Sequence, residues 1–224
     1  MFVRKQLDLS YRDLGAALAF CLRPRWKRHR LESDLEQLWS DKVDTVVALS
    51  VRTAFDAWLK AINLPHGSEI IVSGINIPDM ARILDHHGLR IVPVDLDLQT
   101  LEIHTDELQE AITPKTRIVL VAHLFGARME MEPIFKITDQ FPQILVAEDC
   151  AQAFSGTDDY RGHNRSDISL FSFGSIKTAT AFGGAMCRLH DSEQRKAMHD
   201  ILCSYKPQSV DHFAKRTLKY GCIM

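Results

Sequence analysis

The sequence has no apolar run long enough to cross a membrane and no marked excess of charge of either sign. A membrane-spanning helix takes about 18 or more apolar residues in succession, and charged residues interrupt the N-terminal stretch MFVRKQLDLSYRDLGAALAF repeatedly. The same interruptions argue against a secretory signal peptide. Because 27 Lys and Arg face 29 Asp and Glu, there is no overall attraction to nucleic acid or an anionic surface. The composition predicts neither a membrane nor a nucleic-acid partner.

Paired cysteines are also lacking. The chain has five cysteines, and no two of them form the C-x-x-C spacing typical of zinc or redox sites (Cys21, Cys150, Cys187, Cys203 and Cys222). An odd number without framework spacing predicts reduced thiols and a cytoplasmic location. The adjacent His86 and His87 have no partner at metal-ligand spacing and are interpreted as a helix end, so no metal site is predicted.

The first 44 residues differ from the rest in their pattern of apolar and charged residues. Apolar residues recur at helical spacing from about Leu7 to Leu22 and predict an amphipathic helix. The basic run RPRWKRHR follows at residues 23–30. A single short basic run is weak evidence for a phosphate or nucleic-acid patch, so a solvated linker between two helices is the favoured interpretation. Residues 1–44 are predicted to be a helical extension.

From residue 45 to residue 224 the pattern predicts one α/β domain. Short apolar runs such as TVVALS, EIIVSG, RIVPVD, RIVLVAHLFG and QILVAED alternate with segments of helical period. Such alternation is typical of a mostly parallel sheet flanked by helices. The runs DISLFSF and GGAMCRL leave no room for a helix between them, so the last strand is predicted to be antiparallel. Residues 191–204 have a helical pattern.

Three polar residues lie where α/β sheets place ligands, at the carboxyl ends of strands. Asp149 ends the run ILVAED, Ser172 lies in LFSF, and Lys177 follows in FSFGSIKTATAFGG. An acid, a hydroxyl and a lone lysine suit either a nucleotide site or a pyridoxal phosphate site. A P-loop places glycine directly before its lysine, whereas Ile176 precedes Lys177, and the chain has no G-x-G-x-x-G turn. Nucleotide binding is therefore the less favoured alternative.

Pyridoxal phosphate needs a lysine, a carboxylate for the pyridine nitrogen and donors for its phosphate. The segments EDCAQAF, YRGH and SDISLFSFGSIKTATAFGGAM supply these in order. The chain thereby resembles the DegT/DnrJ/EryC1/StrS family of pyridoxal-phosphate-dependent aminotransferases over roughly residues 45–190. The resemblance implies the large-domain fold of a type I aminotransferase, with the small C-terminal domain of the family missing after Met224.

The resemblance also implies residue roles. Lys177 is expected to bond covalently to the cofactor and to carry the proton. Asp149 is expected to contact the pyridine nitrogen, Gln152 to lie near the ring hydroxyl, and Ser172 to donate to the phosphate. His123 matches a family histidine in VAHLFG but is left out of the predicted site, because a histidine ending an apolar strand is as often a core residue.

Two places depart from the family pattern. Val51 and Arg52 occupy the glycine and threonine positions of the phosphate loop, where helix amides remain available. Arg52 either adds a charged donor to the phosphate or points into solvent. Ile77 stands where the family tends to carry an aromatic that stacks on the ring. These departures put catalysis in doubt more than cofactor binding.

The function implied by the resemblance is transfer of an amino group from an amino acid, with glutamate expected, to a keto-sugar that is nucleotide-linked. The partners are therefore small-molecule substrates and a second copy of the chain, since sites in this family form between two subunits. The alternative is a truncated or degenerate relative without catalysis, acting as a scaffold or subunit. The sequence leaves the sugar, the carbon and the donor undefined.

Overall fold

The structure, a computed structural model, describes residues 9–22, 28–156 and 158–222. Seven strands form one sheet in the order β1-β7-β6-β5-β4-β2-β3. All neighbours are parallel except β7, which runs antiparallel to both β1 and β6. The strands are β1 (Thr45–Ala48), β2 (Glu69–Ser73), β3 (Arg90–Val94), β4 (Thr116–Ala122), β5 (Leu145–Asp149), β6 (Ile168–Ser172) and β7 (Ala185–Leu189). The predicted α/β class and the antiparallel last strand are confirmed.

Eight helices accompany the sheet in the part of the chain that the structure describes. They are α1 (Tyr11–Cys21), α2 (Arg28–Trp39), α3 (Val51–Ile62), α4 (Pro78–His86), α5 (Thr105–Ala111), α6 (Glu132–Thr138), α7 (Ser192–Ser204) and α8 (Val210–Gly221). Helix α4 ends at His86, as the sequence predicts. Helix α8 was not predicted. The division of the chain into an extension and a domain at residue 45 stays a prediction. Helix α1 of the predicted extension packs against α8 of the predicted domain.

Two apolar cores lie on opposite faces of the sheet. Buried side chains of α3, α4 and α7 pack on one face, and those of α5 and α6 pack on the other. The central strands are apolar on both faces because both are covered; Ile70 and Ile71 in β2 are fully buried and belong to opposite cores. Trp58 of α3 is fully buried and donates from Nε1 to Gln194 of α7 at 3.0 Å. The cores hold the carboxyl ends of the strands in fixed positions.

Part of the basic run that was predicted to be a linker is helical. Residues 23–27 lie outside the described residues, and residues 28–30 already belong to α2. Helix α2 is fastened to the edge strand, since Glu36 accepts a hydrogen bond from the Val47 amide at 3.1 Å and pairs with Arg195 at 3.3 Å. Because the Glu36 carboxylate occupies the Val47 amide, that amide of the edge strand β1 is not available to pair with another strand.

Four cysteines of the described residues are free thiols, namely Cys21, Cys150, Cys187 and Cys222. None of the helices described is both long and apolar enough to span a bilayer.

Candidate functional site

A cavity of about 190 Å³ lies at the carboxyl ends of the parallel strands. Its wall comes from the segments that follow β2, β4 and β5 and from the loop between β6 and β7. These segments meet because parallel strands end at the same edge of the sheet. The lining residues are Ile75, Asn76, Ile77, Ala122, His123, Leu124, Phe125, Asp149, Ala151, Gln152 and Lys177.

Lys177 is carried by a loop that closes on itself between β6 and β7. The carbonyl of Phe173 accepts hydrogen bonds from the amides of Ala181 and Gly183, both at 3.0 Å. The amide of Gly184 donates to the Leu49 carbonyl at 3.1 Å, which fastens the loop to the end of β1. The backbone of Lys177 itself donates to Gly174 at 3.0 Å. The lysine is therefore held at the cavity by backbone contacts that leave its side chain unrestrained.

The Lys177 ammonium is half-buried, and among residues 9–22, 28–156 and 158–222 it has neither a hydrogen-bond partner nor an ion pair. Burial lowers the pKa of Lys177, and the charge of Asp149 opposes that shift. Burial likewise raises the pKa of Asp149, opposed by its hydrogen bond from the Ala151 amide and by the charge of Lys177. Each group is pushed toward its neutral form, in which an amine is a nucleophile.

Gln152 joins two walls of the cavity. Its Oε1 accepts a hydrogen bond from the Phe125 amide at 3.0 Å, so the amide nitrogen of its side chain is the end left for a ligand. Phe125 has a positive φ of 55° and is 73% exposed. A bulky residue in this conformation is strained, and the contact from Gln152 helps to hold it there.

A second depression of about 440 Å³ adjoins the cavity. Four residues line both spaces, namely Phe125, Ala151, Gln152 and Lys177. Lys177 therefore stands on the boundary between a smaller and a larger space, where its amine can reach molecules in either.

Ser172 does not line the cavity but lies beside the lysine. Its Oγ accepts a hydrogen bond from the Gly174 amide at 3.4 Å. A Cβ placed on Gly174 would lie 3.6 Å from the Ser172 Oγ and 4.0 Å from Cγ of Lys177. Ser172 and the stem of Lys177 thus flank the same glycine.

The structure does not bring the side chains of Val51 and Arg52 to the cavity. Val51 is 7% exposed and packs in the core. Arg52 turns toward α4 and pairs with Asp79 at 3.2 Å. Only their backbone amides remain as candidate phosphate donors, since first-turn amides have no partner within the helix, and the cap residue Ser50 takes the amide of Thr53.

From the sequence, His123 could be either a core residue or a site residue. In the structure it is both, because it is buried and also lines the cavity. Its Nδ1 accepts a hydrogen bond from the Met129 amide at 3.0 Å, and its Nε2 lies 2.9 Å from Oε2 of Glu148. The proton is therefore on Nε2, which donates to Glu148. Tyr160 lies 3.2 Å from the same Nε2.

Glu148 is fully buried and satisfied on both oxygens. Its Oε1 accepts from the His163 amide at 2.8 Å and from Ser169 Oγ at 2.9 Å. Burial alone would raise the pKa of Glu148, but the hydrogen bonds, first that of His123, outweigh burial and lower it. A buried carboxylate thus orders the wall behind the cavity.

One group of side chains within the described residues lies close enough together to ligate a metal ion. It consists of His123, Glu148 and Cys150, whose ligand atoms lie within 4.8 Å of one another. Both nitrogens of His123 are already engaged, and burial raises the pKa of the Cys150 thiol well above its ordinary value. A protonated thiol is a poor ligand, so this geometry favours a hydrogen-bonded network.

Asn76 is a lining residue that the sequence did not reveal. Its Oδ1 accepts from the Ile77 amide at 2.8 Å, whereas its Nδ2 is buried and has no hydrogen-bond partner. Its position directly before Ile77, which was aligned with the ring-stacking position, was the available signal.

Comparison with known proteins gives the relationship of this chain. The sequence pattern of the DegT/DnrJ/EryC1/StrS aminotransferase family matches residues 25–219. The chain belongs to this family. It is 30% identical over 155 residues to GDP-perosamine synthase of Escherichia coli O157:H7, covering 68% of this chain and 41% of that protein.

Solved structures of similar fold include the PLP-form of Spr1654 from Streptococcus pneumoniae, with a TM-score of 0.76 and 21% identity over 98% of this chain and 66% of that one. The sugar aminotransferase CalS13 from Micromonospora echinospora has a TM-score of 0.74 and 23% identity, covering 89% of this chain and 57% of that one. The large-domain fold expected from the resemblance is confirmed. The chain spans about two fifths of the length of the curated relatives it matches.

Proposed function

We propose that this chain binds pyridoxal phosphate in the Lys177 cavity and transfers an amino group from an amino acid to a keto-sugar. The observation that carries the proposal is an unpaired, half-buried lysine in one cavity with the carboxylate of Asp149. An unpaired ammonium beside apolar surface is costly unless a ligand uses it. The family membership of the chain supports this ligand.

The residues of the site fit the cofactor by the chemistry of their donors and acceptors. The cavity offers one carboxylate, Asp149, for a protonated ring nitrogen, and the free side-chain amide of Gln152 for a ring oxygen. The hydroxyl of Ser172 and the first-turn amides of α3 would hold the phosphate. When bound, pyridoxal phosphate supplies an electron sink for the carbon that loses its proton.

Lys177 is the proton carrier in this proposal. Its Nζ takes the proton from the α-carbon of the amino donor and later returns one to the acceptor carbon. The lowered pKa of Lys177 leaves more of the amine unprotonated for the first step. The larger depression that Lys177 also lines is the place for the donor and then the sugar. Glutamate as donor and a nucleotide-linked sugar as acceptor are parts of the proposal, as is a second copy of the chain at the site.

The name of one relative, GDP-perosamine synthase, supports a nucleotide-linked acceptor. The expected interaction with a sugar nucleotide is tested by incubating purified chain with pyridoxal phosphate, glutamate and GDP-linked keto-sugars and measuring 2-oxoglutarate and amino-sugar by mass spectrometry. Formation of both in equal amounts, lost in Lys177→Arg, is expected. Binding of cofactor without any product would favour the second candidate.

The second candidate is a non-catalytic relative of the same fold. It is favoured by the core position of Val51 and by the ion pair of Arg52 with Asp79, because neither of these two side chains is then placed to donate to a phosphate. Ile77, 45% exposed, would cover a ring with less contact area than an aromatic.

A further inference from the structure

Asn76 presents a buried hydrogen-bond donor that the protein does not use. The side-chain oxygen and nitrogen of an asparagine are distinguished by their partners. Here the oxygen accepts from the Ile77 amide, and turning the amide over would set two donors against each other. The nitrogen is thereby assigned, and it has no partner among the described residues.

Such a donor calls for an explanation, because buried polar groups are nearly always hydrogen-bonded. Asn76 lines the cavity that also holds Lys177, Asp149 and Gln152. The flanking Ile75 and Ile77 are 39% and 45% exposed, so little packing opposes their displacement when a ligand enters. A ligand oxygen can then supply the acceptor that is missing.

We propose that Asn76 is a ligand-binding residue whose Nδ2 donates a hydrogen bond to an anionic oxygen of the molecule bound in the Lys177 cavity. This rests on the proposed function, which supplies two sources for the oxygen. One is the ring oxygen of pyridoxal phosphate, and the other is the carboxylate of the amino donor. An anion is the matching partner because the cavity wall presents three side-chain donors, on Asn76, Gln152 and Lys177, against the single carboxylate of Asp149.

Two variants separate this role from a structural one. Asn76→Asp keeps an oxygen for the Ile77 amide and replaces the donor with an acceptor. Asn76→Ser keeps a short acceptor but loses the reach into the cavity. Asn63→Ser is the matched control, since Asn63 lies outside the cavity and ends α3 with a positive φ of 44°. Its replacement lowers stability without touching the site.

The experiment titrates each protein with pyridoxal phosphate, followed by visible absorbance, and then titrates the loaded protein with glutamate. In N76S one of the two dissociation constants is expected to rise about 10- to 100-fold, as for a hydrogen bond to a charged group, and more in N76D. A rise in the first constant assigns the oxygen to the cofactor, and a rise in the second assigns it to the donor carboxylate. N63S changes neither, although its Tm falls.

Both constants within threefold of wild type in N76S and N76D would overturn the assignment. A wild-type chain that does not bind pyridoxal phosphate saturably would overturn the proposed function and this assignment together. The two failures are distinguishable, because the first appears only in the variants.

Discussion

The network around Glu148 gives a prediction whose magnitude follows from its hydrogen bonds. In Glu148→Gln the side chain keeps its shape but replaces one accepting oxygen with an NH₂ group. One end of the carboxylate faces the His163 amide, and the other faces Nε2 of His123. Both are fixed donors, because Nδ1 of His123 is occupied by the Met129 amide. Either orientation of the glutamine therefore sets a donor against a donor.

The cost has two parts. A hydrogen bond to a charged group is lost, which is worth about 1.5–3 kcal/mol, and a buried donor is left unpaired, which costs about 1–3 kcal/mol. Glu148 and His123 are both buried, so water does not supply the missing partner. We expect the free energy of unfolding to fall by about 3 kcal/mol.

The assay is urea unfolding followed by circular dichroism, with Glu110→Gln as control. Glu110 is an exposed residue of α5, where the same chemical change should stay within about 0.5 kcal/mol. A loss below about 1 kcal/mol in Glu148→Gln would contradict this prediction, because it would show that the donors are paired by another arrangement.

Two further predictions concern other carboxylates. Asp149→Asn should leave pyridoxal phosphate binding nearly unchanged and reduce turnover by roughly 100-fold, the size of effect seen when one preorganised electrostatic contact is removed; unchanged turnover would remove Asp149 from the site. Although burial raises the pKa of Asp56, hydrogen bonds from Lys60, Tyr205 and His87 outweigh burial and lower it to about 2. A depressed pKa contributes stability above about pH 4 that is lost as pH falls toward 2. Tyr205→Phe should therefore lower the free energy of unfolding by about 1 kcal/mol at neutral pH, and its difference from wild type should shrink as the pH falls. Urea unfolding at several pH values measures this difference, and a difference that does not change with pH would contradict the prediction.

Local sequence patterns predicted much of the fold because they report burial directly. The middle of the run EIIVSG, Ile70 to Val72, is apolar without alternation, and β2 is covered on both faces. The absence of helix room between DISLFSF and GGAMCRL predicted the antiparallel β7. Asp149 and Lys177 could be placed at one edge because parallel strands end together. Helix α8 was missed. Half of its residues are exposed and Thr217 is buried, and it packs against α1, a contact that the sequence does not show.

The remaining details of the site depend on contacts between distant segments. Arg52 looked like a phosphate ligand from its position in the chain, but the packing of α3 against α4 sets it beside Asp79. His123 was left out of the predicted site because a sequence does not show which surface of a core residue faces a cavity. The unpaired donor of Asn76 is likewise a property of the assembled structure.

Identifying the lysine that bonds to the cofactor tests the proposed function of this chain directly. The chain is loaded with pyridoxal phosphate, reduced with borohydride, digested and mapped by mass spectrometry. We expect the modification on Lys177, whose amine is unpaired and whose pKa is lowered by burial, and its loss in Lys177→Arg. Modification of another lysine, such as Lys60 beside Asp56, or no modification at all, would contradict the central claim.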